Sequence, residues 1–183
     1  MVADIFLNML VKELDHLQTI HFPWLNSNKI QKLKIKLIDH AGGLRDRKSK
    51  LHLSASAMVF SEQYGYFIRH PYLKTVLLPA GHVENNEVPL NCAVREFHEE
   101  TGYQVKPDSG RLIDVNLIQI PANPAKSEGA HQHIDFRFGF LLETGKRADA
   151  ELPVFLLTKN QAPNEFSKYF ILNLNLHFKC NTN

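Results

Sequence analysis

The sequence lacks the features that identify secreted, disulfide-stabilised and membrane-spanning proteins. Its two cysteines, Cys92 and Cys180, are too few for a disulfide framework and do not have the spacing of a metal-binding motif, so a reducing compartment is expected. No apolar run approaches the roughly 20 residues of a membrane span. The N-terminal stretch contains Asp4 and has no basic region of the kind that opens a signal peptide. We therefore expect a cytoplasmic protein with no membrane partner.

The sequence also has little net charge. The formal charge is +2 over 183 residues, which is too small to attract nucleic acid through its overall field. The hydrophobic fraction of 44% and the charged fraction of 22% are ordinary for a globular protein, and the length fits one domain. We expect a globular domain with no stable nucleic-acid partner.

The first part of the chain is predicted to be a helical N-terminal extension over residues 1–48. Residues 2–18 have the apolar period of an amphipathic helix. The stretch 26–40 suits either a helix or a strand, and the capping residues Asn26 and Ser27 favour the helix. The apolar stripe of this extension needs cover, either from its own domain or from a second subunit, so a homodimer is an open alternative.

The rest of the chain, residues 49–183, is predicted to be a single globular domain of short strands around one strong helix. Such an element order is typical of a mixed sheet with helical cover, an α/β (α+β) fold. A last helix is predicted at about residues 164–179. The predicted strands are "LHLSASAMVF", "YGYFIRH", "TVLLPAG", "RLIDVNLIQI", "HIDFRFGFLLE" and "LPVFLLT".

The strong helix is predicted over residues 89–101, between Pro89 and Gly102. The helical period places Glu96, Glu99 and Glu100 on one face. Carboxylates at this spacing repel one another, and they oppose the helix dipole near its C-terminal end. A hard divalent cation such as Mg²⁺ would relieve the repulsion. A solvated acidic face is the alternative.

The spacing of the residues around these glutamates resembles the signature of the Nudix (MutT-like) hydrolase family. In that signature a glycine, a glutamate, an Arg-Glu pair, a Glu-Glu pair and a final glycine stand at fixed intervals, and every one of these positions is occupied here. The resemblance covers roughly residues 50–160 and implies a Nudix-type α/β/α sandwich. The matching residues are Gly81, Glu87, Arg95, Glu96, Glu99, Glu100 and Gly102.

The resemblance implies roles for these residues. Glu99 or Glu96 would activate the attacking water, and an acidic residue from a later loop, Glu151 or Glu128, is an alternative base. Arg95, Glu87 and Gly102 would orient or shape the site. The implied metal ligands are Glu96, Glu99, Glu100 and the backbone carbonyl of Ala80 or Gly81.

The implied activity is hydrolysis of a diphosphate linkage, in a nucleoside diphosphate linked to another moiety, with Mg²⁺ or Mn²⁺ as cofactor. The implied partner is thus a nucleotide-type small molecule. A non-catalytic module that binds or senses a nucleotide is the alternative, although binding alone does not need three clustered carboxylates. An isomerase of a prenyl diphosphate would need a cysteine and histidine pattern that we do not find.

A second group of polar residues lies in "HQHIDFR". In a strand His131, His133 and Asp135 share one face. They could contact substrate phosphate, hold a transition metal, or form a hydrogen-bonded polar face. His82 follows the glycine of the signature and could contact phosphates, or it is a turn residue without a role.

Overall fold

The computed structural model describes residues 4–122, 129–143 and 148–173. Within these residues the helices are α1 (Ile5–Thr19), α2 (Ser27–Asp39), α3 (Pro89–Thr101) and α4 (Asn164–Ser167). The strands are β1 (Leu51–Ser61), β2 (Tyr64–Arg69), β3 (Val76–Leu77), β4 (Ala80–His82), β5 (Arg111–Ile120), β6 (His131–Leu141) and β7 (Val154–Leu157). None of the described helices is long and apolar enough to cross a bilayer.

The strands form one mixed sheet in the order β3-β2-β1-β6-β5, with β4 paired to β1 and β7 paired to β2. β1 runs parallel to β6 and antiparallel to β2 and β4. Side chains alternate between the two faces of β1, and both faces are buried. One face carries Leu53 and Ala55, and the other carries His52, Ser54 and Ser56. The mixed α/β fold is thereby confirmed.

The N-terminal extension is helical and packs on its own domain. α2 begins after Asn26, whose side chain accepts a hydrogen bond of 3.1 Å from the Lys29 amide, so the helical alternative is confirmed. The apolar stripes of α1 and α2 belong to the same hydrophobic core as β1 and α3. The boundary between residues 48 and 49 remains a prediction. The buried members of the two stripes are Leu10, Leu14, Leu17, Ile30, Leu33 and Leu37.

The prediction of one strand over "TVLLPAG" is corrected by the structure. The segment forms two short strands: β3 pairs with β2, whereas β4 pairs with β1. Leu78 and Pro79 lie between them, and proline has no amide hydrogen for a sheet ladder. The break carries the chain from one neighbour to the other and brings β4 beside α3.

The predicted C-terminal helix begins at Asn164, where α4 begins, and continues as a 3₁₀ turn over Lys168–Phe170. Phe166, Tyr169 and Phe170 bury their rings on the sheet face that carries Met58 and Phe67. The predicted end of this helix lies outside the described residues.

Candidate active site

Helix α3 has the bounds and the orientation that the sequence predicts. Pro89 occupies its first turn, and Gly102 ends it at φ 73°, a left-handed conformation that favours glycine. The Gly102 amide donates a hydrogen bond of 2.8 Å to the His98 carbonyl. Ala93 and Phe97 are fully buried in the core. The three glutamates therefore occupy the neighbouring arc of the helix, near β4.

Arg95 organises the acidic residues. Its guanidinium donates two hydrogen bonds to the Glu87 carboxylate, at 2.9 and 3.0 Å. It donates a third to Glu96 at 2.6 Å and a fourth to Glu99 at 3.0 Å. Burial by itself raises the pKa of Glu87, but the hydrogen bonds from Arg95 and the Glu84 amide outweigh it and lower that pKa below its usual value. Arg95 thus fixes Glu87 and aligns two carboxylates of α3, those of Glu96 and Glu99.

Gly81 allows the Glu96 carboxylate to lie against the backbone of β4. A Cβ atom at position 81 would lie 2.0 Å from Glu96 Oε1, so any side chain there would displace the carboxylate. The Gly81 carbonyl accepts a weak hydrogen bond of 3.5 Å from Cys92 Sγ. Burial raises the pKa of Glu96 in spite of its hydrogen bond from Arg95.

Glu100 contacts the first residue of β4. Its Oε2 accepts a hydrogen bond of 2.9 Å from the Ala80 amide. Burial is the largest cause that raises the pKa of Glu100 to about 8, and the charges of Glu96, Glu151 and Glu99 add to it. The Glu151 amide donates a hydrogen bond of 3.1 Å to the Glu99 carbonyl, so the loop that carries Glu151 meets the end of α3. Glu128 lies outside the described residues.

This arrangement suits a hard divalent cation. Three carboxylates, those of Glu87, Glu96 and Glu99, pair with one guanidinium, so the group has an excess of negative charge when all three are ionised. The nearby Glu100 carboxylate adds to this excess when it is ionised. Burial raises the pKa of Glu96 and that of Glu100, so a nearby cation would favour the ionised form of both carboxyl groups. All the side-chain donors are oxygens, which Mg²⁺ and Mn²⁺ prefer. Coordination by Glu96, Glu99 and Glu100 remains a prediction.

The histidines of β6 lie on the opposite face of the sheet from α3. On β4, Gly81 faces Glu96, and the next residue, His82, points to the other side. There it meets His133 of β6 and His52 of β1, with ring centroids 4.7 and 4.8 Å away. The sequence pattern does not single out His52. Its alternation with Leu53 predicts a strand, but its partner His133 follows only from the β1–β6 register.

Asp135 does not join these histidines. It accepts hydrogen bonds of 3.0 Å from both Ser54 and Ser56, and one of 2.9 Å from Arg137. The residue is only 2% exposed, so it is occupied by protein groups and has little surface for a substrate. A groove of about 510 Å³ opens beside His131, between the ends of β5 and β6, and the glutamates of α3 do not line it.

Comparisons with known proteins agree with this architecture. The family model of the NUDIX domain matches residues 50–175. The "Probable DHNTP pyrophosphohydrolase" of Lactococcus lactis subsp. cremoris (strain MG1363) is 58% identical over 120 residues, which is 66% of this chain and 72% of that protein.

Solved structures with low sequence identity share the fold. The dihydroneopterin triphosphate pyrophosphohydrolase of E. coli is 15% identical with a TM-score of 0.51, covering 71% of this chain and 97% of that one. A MutT NUDIX hydrolase from Burkholderia pseudomallei is 15% identical with a TM-score of 0.50, covering 67% and 99%. At this identity the likeness supports the fold alone. The family match and the curated relative go further: the chain belongs to the Nudix family and is a pyrophosphohydrolase that cleaves a diphosphate linkage.

Proposed function

We propose that the substrate is dihydroneopterin triphosphate, a nucleotide-like triphosphate, and that water cleaves it to the monophosphate and pyrophosphate. The observation that carries this proposal is the 58% identity to a protein named as a DHNTP pyrophosphohydrolase. Attack of water at phosphorus forms one P–O bond and breaks one P–O–P linkage, so atoms balance with the release of a proton. The sequence signature predicts the reaction class, and the name of the relative indicates the substrate.

The proposed cofactor is Mg²⁺, with Mn²⁺ as a substitute. Glu96, Glu99 and Glu100 would hold it, with the backbone carbonyl of Ala80 or Gly81 as a further oxygen donor. When bound, such an ion neutralises phosphate oxygens and acidifies water. The excess of carboxylates over cationic groups around Arg95 supports this assignment.

Glu99 is the proposed proton acceptor for the attacking water. Its side chain is 40% exposed, whereas that of Glu96 is 14% exposed, so water reaches Glu99 more readily. Arg95 holds the Glu99 carboxylate at 3.0 Å and so limits its rotation. Glu96 is the second candidate, and Glu151 is a third because its loop hydrogen-bonds to the end of α3. A positioned base of this kind contributes roughly 10²–10⁴-fold to a rate.

Three supporting residues have positioning roles in this proposal. Arg95 bridges Glu87 to Glu96, so Glu87 acts on the site through Arg95. Gly102 reverses the chain at the end of α3 and accepts a hydrogen bond of 2.7 Å from the Ala148 amide. The alternative of a non-catalytic nucleotide sensor receives no support from the comparisons, because each reported relative is named as a hydrolase.

We also infer a cytoplasmic protein that does not need a second subunit to cover its N-terminal stripe. Cys92 is a free buried thiol, in keeping with a reducing compartment. Leu10, Leu14 and Leu17 are buried within the chain's own core. Size-exclusion chromatography with light scattering would detect a homodimer.

The experiment that tests the function measures pyrophosphate release from dihydroneopterin triphosphate and from a panel of nucleoside triphosphates at fixed Mg²⁺. Nucleoside diphosphate sugars are assayed beside them by the release of nucleoside monophosphate. We expect the pterin substrate to have the highest kcat/KM. Glu99→Gln should lower kcat by roughly 10²–10⁴-fold. The exposed Glu143→Gln is the matched control and should behave as the wild type.

The results of this experiment distinguish an error in the proposed substrate from an error in the reaction class or in the proposed base. Faster hydrolysis of a nucleotide than of the pterin would refute the proposed substrate and leave the reaction class intact. Full activity in Glu99→Gln, with Glu96→Gln inactive, would move the base to Glu96.

A further inference from the structure

Four imidazoles from three strands converge on the sheet face opposite α3. They are His52 of β1, His82 of β4, and His131 and His133 of β6, a group that we call the histidine cluster. One ring nitrogen of each lies within 4.8 Å of those of the others. The centroid of the His52 ring lies 4.4 Å from that of His133 and 4.9 Å from that of His131. The proposed catalytic site does not use these rings.

The backbone fixes the tautomer of two members. His52 Nδ1 lies 3.1 Å from the Ser49 carbonyl oxygen, and His131 Nδ1 lies 2.8 Å from that of Gly129. A carbonyl only accepts, so each Nδ1 carries the hydrogen and each neutral ring has a lone pair on Nε2. Among the described residues His52 Nε2 is buried and has no hydrogen-bond partner. A buried lone pair without a donor is costly unless something fills it.

Burial favours the neutral form of the two innermost rings. Burial, with the neighbouring rings, lowers the pKa of His133 to about 2, and burial also lowers the pKa of His52. Neutral imidazole is the form that binds metal ions. A ring whose Nδ1 donates to a backbone carbonyl and whose Nε2 is free has the usual orientation of a histidine ligand.

These tautomers favour a cation over a phosphate group. His131 Nε2 and His133 Nε2 lie 3.0 Å apart, and because His131 Nε2 is the acceptor, His133 Nε2 donates. That hydrogen is already used within the cluster. A phosphate needs N–H donors, whereas the Nε2 atoms of His52 and His131 each carry a lone pair and no hydrogen. An ion would take these lone pairs, with the hydrogen of His133 moved to its other ring nitrogen.

The number and type of ligands select the ion. Imidazole nitrogen suits zinc and related transition ions, whereas Mg²⁺ prefers oxygen. A tetrahedral zinc site with Zn–N bonds of 2.0–2.1 Å holds its nitrogens about 3.3–3.4 Å apart. The ligand nitrogens of the cluster lie within 4.8 Å of one another, so a bound zinc ion would draw the more distant ones closer together. Access is available because His131 lines the groove between the ends of β5 and β6.

We propose that the histidine cluster is a second, structural metal site that binds one zinc-type divalent ion through His52, His82, His131 and His133. Four protein ligands leave no open position, which is typical of structural zinc sites. The ion would join β1, β4 and β6. Because His82 directly follows Gly81, the bound ion would also fix the position of β4, the strand against which Glu96 lies.

The test uses metal-free wild-type protein and Zn²⁺ alone, with affinity measured by competition against a chromophoric chelator. We expect one equivalent of tight zinc and, with Co²⁺, the visible absorption of a four-coordinate ion. His52→Gln and His131→Gln should each weaken zinc binding at least 10–100-fold. Loss of a residue that only hydrogen-bonds to a metal ligand has an effect of this size, so loss of the ligand itself should cost no less. His21→Gln, an exposed histidine outside the cluster, is the matched control.

Two further measurements keep the result unambiguous. Circular dichroism of each variant establishes that it folds, and Zn²⁺ should raise the melting temperature of the wild type but not that of folded His52→Gln. Glu99→Gln should retain zinc affinity. Unchanged zinc affinity in the His52→Gln/His131→Gln double variant, or a wild type that binds no stoichiometric zinc, would overturn the proposal. Neither zinc affinity nor melting temperature depends on hydrolysis, so failure of this proposal and failure of the proposed substrate are distinguishable.

Discussion

The two faces of strand β4 carry opposite ligand chemistry. Gly81 faces the carboxylates of α3, which are oxygen donors with an excess of negative charge. His82 faces a cluster of imidazoles, and the buried Nε2 of His52 in that cluster has no hydrogen-bond partner among the described residues. The alternation of a strand is enough to separate the two groups by a single residue step. One short strand thus borders two sites that would select different ions, a hard one and a borderline one.

Among the substitutions that compare the two faces of β4, the largest effect on catalysis is expected for Gly81→Ala. The new Cβ would meet Glu96 Oε1 at 2.0 Å, so the carboxylate must leave its place. We predict a fall in kcat/KM of about 100-fold, measured with the pyrophosphate assay, because displacement of a catalytic group by about 1 Å can cost that much. Zinc affinity should be retained, since His82 lies on the other face. Wild-type activity in Gly81→Ala would show that the Glu96 position is unimportant.

His82→Gln sharpens the comparison from the other face. The variant removes one nitrogen ligand, and we predict a loss of zinc affinity of at least 10–100-fold in the chelator competition. The zinc-dependent rise in melting temperature should disappear with it. Retention of both would exclude His82 from the proposed zinc site.

Arg95→Lys should have an intermediate effect. Lysine cannot reproduce two parallel hydrogen bonds to Glu87 and the additional bonds to Glu96 and Glu99. We predict a fall in kcat of about 10–100-fold, comparable with the loss of an outer partner of a metal ligand, and a higher Mg²⁺ concentration at half-maximal rate. A change in melting temperature without these kinetic changes would reduce Arg95 to a structural role.

Glu100→Gln should stabilise the metal-free protein at neutral to alkaline pH. The folded-state pKa of Glu100 is about 8 against an ordinary value of 4.5, so folding favours its protonated form, and stability is lost as pH rises from about 4.5 through 8. Glutamine removes this loss. We predict a rise in melting temperature of about 5 °C at pH 8.5, little rise at pH 4, and no further stabilisation by Mg²⁺. Glu143→Gln should show no such pH dependence.

The sequence predicts helix α3 better than its surroundings, for local reasons. Pro89, Gly102 and the helical period define α3 and the shared face of its glutamates without reference to distant residues. The division of "TVLLPAG" into β3 and β4 depends on which strands each half pairs with, which is a long-range property.

The histidine cluster illustrates the same limit. Alternation alone places His131 and His133 on one face, but His52 and His82 join them only through the registers of β1 with β6 and with β4. Asp135 shares their face, yet Ser54, Ser56 and Arg137 occupy it. Periodicity predicts the direction of a side chain, and its partners depend on tertiary pairing.

Anomalous diffraction from crystals soaked in both Mn²⁺ and Zn²⁺, recorded at the absorption edge of each metal, tests the separation of the two sites most directly. We predict manganese among Glu96, Glu99 and Glu100, and zinc among the four histidines. Manganese absent from the glutamates, with their side chains apart and no space for a pyrophosphate, would contradict the account.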